Sequence, residues 1–490
     1  MVYKSDIQKR MPMWNRFMYT TKFAAIAILV VSGHISQNVV QSHNQSDDVN
    51  GIINKADSLL VSQHQPLQYK EKQQIIKDIY SDPLNEVKRE VNHYINEVRF
   101  NGSIAIAKDG VVIFEKHHGL ADMEKELPIT DSSRFQLASV SKQFTAAAIL
   151  KLYQEGKVNL DSSLTTYLPE LPYEDVKIRH LLTHKAGFPS YMWLIARHWN
   201  EPHAPSNADI VDMIADHPVK LYFEPGEKFN YSNTGYCLLA SVVERASGLS
   251  FDEFLNNRFF RPLNMDDTFA FSSLSKKYTS SMVKGYRYNG GRYSKVHLNL
   301  MDGAYGDKGV FSTATDLVKW AEALKNGEAV DESLVNSAFS GSALTDGESI
   351  EYGYGFRVKN VNDYEMVFHN GSWSGFRTTL RTFPEEGLTL VILSNNSFRK
   401  TGEMARQLTN AMLSDYEAGE VYTIVRDLLF NDQEKPTDQK ISFVDSWELY
   451  ELKRITQTMN GMDREWLAHR IKTFTNNVTD GNNEYYALKE

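Results

Sequence analysis

The sequence has a single cysteine, Cys237, among its 490 residues, so no disulfide can form within the chain. This cysteine lies inside the apolar stretch Tyr236–Val243, which favours a small buried side chain over a reactive thiol. Without disulfides the fold must depend on its hydrophobic core, and a chain of this length can bury a large one.

The sequence also has fewer basic than acidic residues. Lysine and arginine number 53 against 62 aspartate and glutamate residues, and the net charge is -9. A protein that binds nucleic acid normally carries a basic patch or stripe. The composition therefore excludes nucleic acid as an expected partner.

A long apolar run is missing near the amino terminus. The apolar segment Phe23–Val31 falls short of the roughly 20 residues that span a bilayer. Basic residues precede this segment, and Val31-Ser32-Gly33 offers a small-residue cleavage site. We therefore expect residues 1–33 to be a signal peptide or an uncleaved N-terminal anchor. The protein is then exported, either to the periplasm or medium or held on the inner membrane by that anchor.

The segments on either side of the central region show no chemical motif. Residues 34–84 begin as a linker rich in Gln, Asn and Ser and continue as a helical arm. Residues 416–490 are expected to form an acidic, mainly helical C-terminal extension, with helices over Trp447–Met459 and Asp463–Phe474.

Residues 85–415 carry the strong secondary-structure signals of one domain. The β-rich runs Ser103–Ala107 and Val111–Glu115 are joined through Asp109-Gly110, which predicts a hairpin. The other expected elements are helices Val140–Gly156, Asn207–His217, Thr234–Ser247 and Ser250–Phe260, and strands Glu365–His369, Phe376–Phe383 and Leu388–Ser394. Strands at both ends around a helical middle predict an α+β fold, in which helices flank one antiparallel sheet and an all-helical lobe is added.

Ser139 and Lys142 stand three residues apart where the first of these helices begins. That spacing places both side chains on the same helix face. A lysine can accept the proton of a serine hydroxyl when burial and nearby positive charge lower the pKa of its amine. Taken alone, the pair also fits a capping serine with a surface lysine.

Two further groups of polar residues follow in the chain. Tyr231 and Asn233 are two residues apart on an expected extended loop, so their side chains would point the same way. An ordinary turn with a helix cap fits this pattern as well. His369 is expected at a strand edge before Gly371 and Ser372, and Gly371 would let a substrate approach the backbone closely.

Taken in order, these three groups resemble the S-x-x-K, Y-x-N and K/H-x-G motifs of the serine β-lactamase and penicillin-binding-protein superfamily. The flanking segments Leu181–Gly187 and Tyr352–Gly355 are also similar to segments of that family. A Y-x-N motif in second place is typical of its class C β-lactamase-like branch. The resemblance covers about residues 85–415 and implies a β-lactamase/transpeptidase-like fold.

The resemblance also implies a serine hydrolase that works through an acyl-enzyme without a metal or cofactor. Ser139 is then the nucleophile, Lys142 activates it, and Tyr231 passes protons to the leaving group and later activates the deacylating water. Asn233 is expected to orient Lys142 and the substrate. The backbone N–H groups of Ser139 and Ser372 are expected to form the oxyanion hole.

The third motif departs from the commoner family pattern, because His369 stands where a lysine is usual. A histidine is largely neutral at pH 7, whereas a lysine is a fixed cation for a substrate carboxylate. We therefore expect an ester or a D-amino-acid peptide, including one derived from peptidoglycan, ahead of a β-lactam. The segment Tyr191–Pro205 is expected to be an aromatic loop that covers an apolar acyl group.

Other functions fit the sequence less well. A true class C-type β-lactamase and a non-catalytic binder of peptidoglycan fragments are the two alternatives. His180 and His184 have a spacing that can bind zinc, but no glutamate completes an H-E-x-x-H arrangement. No metal site is therefore expected.

Overall fold

The computed structural model describes Lys77 and residues 84–274, 282–289, 291–397 and 400–430. The expected N-terminal signal or anchor, most of the linker and arm, and the two helices expected after residue 446 lie outside these residues. Within the described part of the chain, no helix combines the length and the apolar character needed to cross a membrane.

The strands, in chain order, are β1 (Gly102–Lys108), β2 (Val111–His118), β3 (Leu120–Asp122), β4 (Leu127–Pro128), β5 (Phe135–Gln136), β6 (Phe269–Ala270), β7 (Tyr286–Asn289), β8 (Arg292–Lys295), β9 (Val310–Ser312), β10 (Ser342–Ala343), β11 (Ser349–Ile350), β12 (Arg357–Val361), β13 (Tyr364–Trp373), β14 (Phe376–Phe383) and β15 (Leu388–Ser394). The helices are α1 (Asn85–Asn96), α2 (Lys142–Gln154), α3 (Ile178–Leu182), α4 (Tyr191–His198), α5 (Asn207–Asp216), α6 (Asn233–Ser247), α7 (Phe251–Leu255), α8 (Ala314–Lys325), α9 (Glu332–Phe339) and α10 (Thr401–Phe430).

The main sheet is antiparallel, with the strand order β12-β13-β14-β15-β1-β2. It joins both ends of the domain, because β1 pairs with β15, with Ser103 opposite Leu393 and Ala107 opposite Thr389. The turn at Asp109-Gly110 joins β1 to β2, as the hairpin signal predicts. The expected sheet, assembled from the two ends of the domain, is confirmed.

Helices cover both faces of this sheet because its central strands are apolar on both sides. Ile104 and Ile106 of β1 pack in one hydrophobic cluster with residues of α1 and α10. The alternate residues Ala105 and Ala107 face a larger core built with α2, α6 and α8. This period of two is the side-chain alternation of a strand, and it creates the layers of the fold. Cys237 of α6 is fully buried in the larger core, as expected.

Several predicted boundaries differ from the observed ones. The helix expected from Val140 is preceded by a 3-10 turn, Ala138–Ser141, and the expected helix Ser250–Phe260 divides into α7 and a π-helical segment, Asn256–Phe260. The prediction of a loop over Tyr191–Pro205 is wrong for its first half, which forms α4 and buries Tyr191 and Ile195. The four-residue spacing of these two apolar side chains is typical of the buried face of a helix.

Candidate active site

Ser139 lies on a strained turn between β5 and α2. Ala138, just before it, has a φ of 51°, in the left-handed region that residues with a Cβ avoid. Val310 of β9 holds the turn at two points. Its carbonyl oxygen accepts a hydrogen bond from Leu137 N at 2.8 Å, and its N–H donates to Ser141 Oγ at 3.1 Å. Backbone strain that is held in place in this way is common at active sites.

Lys142 is the first residue of α2 and is fully buried. Its Nζ donates to Ser139 Oγ at 3.2 Å, to Asn233 Oδ1 at 2.8 Å and to the backbone oxygen of Asp307 at 2.8 Å. The same nitrogen lies 5.0 Å from the centroid of the Tyr231 ring. These contacts hold the amine beside the Ser139 hydroxyl, within the reach that proton transfer requires.

Tyr231 and Asn233 both line the cleft that contains Ser139, but they do not share an extended loop. Ser232 between them is extended, and Asn233 is already the first residue of α6. The expectation of a common loop is therefore corrected. The Tyr231 hydroxyl is shielded from solvent and has no hydrogen-bond partner among the described residues. An unpaired buried hydroxyl is uncommon in proteins, and here it is free to bond a substrate group.

The edge of β13 forms one wall of the cleft. β12 pairs with β13 only as far as Phe368, so the expected strand Glu365–His369 continues without that neighbour through Gly371 and Ser372. A Cβ at Gly371 would collide with the carbonyl oxygen of Leu137 and with Thr378 Oγ1. The glycine is therefore needed for β13 to pack on the turn before Ser139, and close approach of a substrate there stays a prediction.

His369 belongs to a buried hydrogen-bond chain that the sequence did not predict. The N–H of Ser232 donates to His184 Nδ1 at 3.1 Å. The Tyr352 hydroxyl lies 3.0 Å from His184 Nε2 and 3.1 Å from His369 Nε2. At the other end, His369 Nδ1 lies 2.7 Å from the carbonyl oxygen of Asn370.

Only one arrangement of protons satisfies this chain when both imidazoles are neutral. His184 accepts at Nδ1 and donates from Nε2 to the Tyr352 oxygen, and Tyr352 donates to Nε2 of His369. His369 then donates from Nδ1 to the Asn370 carbonyl. Burial, followed by the positive charge of Lys142, lowers the pKa of His369 to about 3. Burial and Lys142 also hold the pKa of His184 well below its usual value, so both rings are neutral at pH 7.

The cleft has a volume of about 590 Å³, and two arginines line it. The guanidinium of Arg357 lies 5.6 Å from the ring centroids of both Tyr231 and Tyr352. Arg377 is half-buried, and burial and the charge of Arg287 lower the pKa of its guanidinium. No aspartate or glutamate belongs to the described lining of the cleft. The site is therefore positively charged although His369 is neutral.

The structure brings all seven predicted site residues together. Six of them line the cleft, namely Ser139, Tyr231, Asn233, His369, Gly371 and Ser372, and Lys142 lies directly behind Ser139. Sequence reasoning missed Arg357 and the roles of Tyr352 and His184. The only sequence signal for Tyr352 and His184 was that each lies in a segment similar to the family, Tyr352–Gly355 and Leu181–Gly187 respectively. Among the described residues, no group of three or more His, Cys, Asp or Glu side chains could hold a metal ion.

The fold and this arrangement define a serine hydrolase of the kind found among β-lactamases and penicillin-binding proteins. The family model described as "Beta-lactamase" matches residues 88–413. This chain belongs to the β-lactamase family, and the resemblance noted from its motifs is confirmed.

Curated relatives and solved structures agree with this assignment. Penicillin-binding protein 4* of Bacillus subtilis is 35% identical over 308 residues, which cover 61% of this chain and 68% of the relative. The octameric penicillin-binding protein homologue of Pyrococcus abyssi matches with a TM-score of 0.58 at 26% identity, over 67% of this chain and 77% of that one. A penicillin-binding protein of Bacillus halodurans has the same TM-score and identity and is covered over 99% of its length. The β-lactamase/transpeptidase-like fold is therefore confirmed.

Proposed function

We propose that this protein hydrolyses an amide or ester bond next to a carboxylate, through an acyl-enzyme on Ser139, and that a D-amino-acid peptide is its preferred substrate class. The observation that carries the proposal is the buried Lys142 amine, held 3.2 Å from Ser139 Oγ by Asn233 and Asp307. A hydroxyl with a fixed base at this distance is the arrangement that nucleophilic catalysis requires.

The proposed reaction has two steps. Ser139 Oγ attacks the substrate carbonyl carbon while its proton passes to the amine of Lys142, which has first released one of its own protons. The Tyr231 hydroxyl, which has no described partner, protonates the leaving amine or alcohol as the bond to the carbonyl breaks. Water then attacks the carbonyl carbon of the ester on Ser139 and gives up its proton to Tyr231. As the bond to Ser139 Oγ breaks, Lys142 returns its proton to that oxygen and the carboxylic acid product leaves.

The charge of the cleft supports the choice of substrate. Arg357 and Arg377 line it without an acidic residue beside them in the described lining. A substrate carboxylate would supply the missing negative charge and form charge-assisted hydrogen bonds. Arg357 therefore takes over the role of fixed cation that His369, neutral at pH 7, cannot fill. A peptide derived from peptidoglycan carries such a group and is met outside the cytoplasm, where an N-terminal export signal would direct the chain.

Matched substrates test this proposal. An acyl-D-alanyl-D-alanine peptide with a free carboxylate should be hydrolysed with a higher kcat/KM than its C-terminal amide. Arg357→Gln should lower kcat/KM for the free acid by about tenfold to a hundredfold, the value of a hydrogen bond to a charged group. The amide should be affected little.

Lys359→Gln is the matched control, because it removes the same charge from an exposed position on the same strand. It should leave both substrates unaffected. If Arg357→Gln lowered kcat/KM equally for the free acid and the amide, Arg357 would not recognise the substrate carboxylate.

The two alternatives have their own signatures in the same assays. A β-lactam also carries a carboxylate, so the arginines favour a true β-lactamase as the second candidate. Hydrolysis of nitrocefin far above that of p-nitrophenyl acetate and the D-alanyl peptide would establish it. Tight binding of a peptidoglycan fragment without turnover of any of these substrates would instead indicate a binding protein.

A further inference from the structure

A second cavity, of about 610 Å³, is lined in part by Pro225 and Gly226, in the segment that leads to Tyr231. Its lining comes from α3, the following residues, the turn at Pro225-Gly226 and the segment around β10. It shares no lining residue with the Ser139 cleft. The proposed hydrolysis makes no use of this cavity.

Lys185, one of its lining residues, is only 8% exposed. Its Nζ donates to the carbonyl oxygen of Ala343 at 2.8 Å. Burial and the charge of Arg179 lower the pKa of this amine, and no carboxylate offsets them. A buried ammonium without a counter-charge is costly and is rarely kept for stability alone.

The residues around Lys185 offer further donors. Arg179 pairs through one nitrogen with Asp161 at 2.6 Å, but its Nε is buried and has no partner among the described residues. The Ser342 hydroxyl is likewise shielded and unpartnered. His180 accepts at Nδ1 from the N–H of Lys177, and burial and nearby cations lower its pKa to about 4, so its Nε2 carries a proton.

The charge of the lining is strongly one-sided. Three basic side chains line the cavity, those of Lys177, Arg179 and Lys185, against the single carboxylate of Asp175. Two buried donors without partners lie among them. An oxygen-rich anion would satisfy these donors and supply the counter-charge of Lys185.

We infer that this cavity is a second binding site, which takes the phosphate or carboxylate group of a small anionic ligand. Lys185 contacts the anion, with Arg179 and Ser342 as further donors. Backbone hydrogen bonds join the residues at this site to the segment that precedes Tyr231. Gly226 N donates to Lys185 O at 2.8 Å, and Asn230 N donates to His184 O at 2.9 Å.

Isothermal titration calorimetry and thermal unfolding of the full chain test the inference. The probes are inorganic phosphate, glycerol 3-phosphate and succinate, with sodium chloride at matched ionic strength as reference. Comparing the binding of the two phosphate compounds with that of succinate distinguishes a phosphate ligand from a carboxylate ligand. At least one probe should bind saturably and raise Tm beyond the chloride reference, because a ligand of the folded state stabilises it.

Lys185→Met should weaken this binding at least tenfold while removing an unpaired buried charge. Arg179→Gln, at a position 40% exposed, tests the same site with little risk to folding and should weaken binding severalfold. Arg357→Gln should keep the binding that depends on Lys185, and the exposed Lys359→Gln should bind as the wild type does. Binding that survives both Lys185→Met and Arg179→Gln, or that is lost in Arg357→Gln, would place the anion elsewhere. A response no larger than that of chloride would overturn the inference outright, and neither result bears on hydrolysis at Ser139.

Discussion

At the scale of single residues, the geometry of Lys142 depends on burial and on three oxygen acceptors. Lys142→Met keeps the length and burial of the side chain but removes the amine. We expect the rate of acylation to fall by about a hundredfold to ten-thousandfold, the usual contribution of a general base. Stopped-flow measurement with a chromogenic ester should show this loss in the rate constant, with KM changed far less. An acylation rate within a few-fold of the wild type would exclude Lys142 as the base.

Tyr352 connects two neutral imidazoles. Tyr352→Phe would leave Nε2 of both His184 and His369 without a partner in a buried site. We expect the free energy of unfolding to fall by about 1–3 kcal/mol, as for other unsatisfied buried groups. Urea unfolding should show this loss, whereas Tyr222→Phe, at an exposed residue, should show almost none. Equal stabilities of the two variants would mean that the chain of hydrogen bonds contributes nothing.

At the scale of elements, β13 packs closely at Gly371 against the turn before Ser139. Gly371→Ala would force Leu137 or Thr378 to move, because the added methyl group overlaps both. We expect a lower Tm and a lower kcat together, since the nucleophile moves with the turn. Gly402→Ala is the control for Tm, because nothing lies within 4 Å of a Cβ there, and a helical alanine should be neutral or stabilising. Normal activity in Gly371→Ala would show that this contact does not position Ser139.

The elements also show how far the sequence could predict the structure. The hairpin signal predicted the pairing of β1 with β2, because that pattern is local. Strand character at both ends of the domain predicted that these ends share one sheet. The resemblance of three motifs to a known family predicted six of the residues that line the cleft. Arg357 could not be found in this way, because its place in the cleft follows from the pairing of Arg357 with Phe368 across two strands. The left-handed Ala138 lies in a turn that is held by hydrogen bonds to Val310, a tertiary contact that overrides local propensity.

At the scale of the whole molecule, the buried neutral histidines make stability depend on pH. A histidine in the unfolded chain has a pKa near 6.5, whereas that of folded His369 is about 3 and that of His184 also lies well below the ordinary value. Between these limits the unfolded chain binds more protons, so stability is complete above about pH 6.5 and falls as the pH falls. Each histidine contributes up to about 1.4 kcal/mol per pH unit.

Urea unfolding of the wild type and of His369→Gln at pH 5 and pH 7 measures this effect. The loss of stability between the two pH values should be smaller in the variant, by the equivalent of about one proton per molecule. The same dependence on pH in both proteins would show that His369 is not held neutral by the fold.

Hydrolysis by this protein is proposed to depend on Ser139 as the nucleophile. Intact-protein mass spectrometry after incubation with a fluorophosphonate or a fluorescent penicillin tests it most directly. We predict one covalent label per chain in the wild type, located on Ser139 by peptide mapping. The control variant Ser132→Ala, which changes an exposed serine, should carry the same label. Ser139→Ala should remain unlabelled. Labelling of Ser139→Ala at the rate of the wild type would contradict the account.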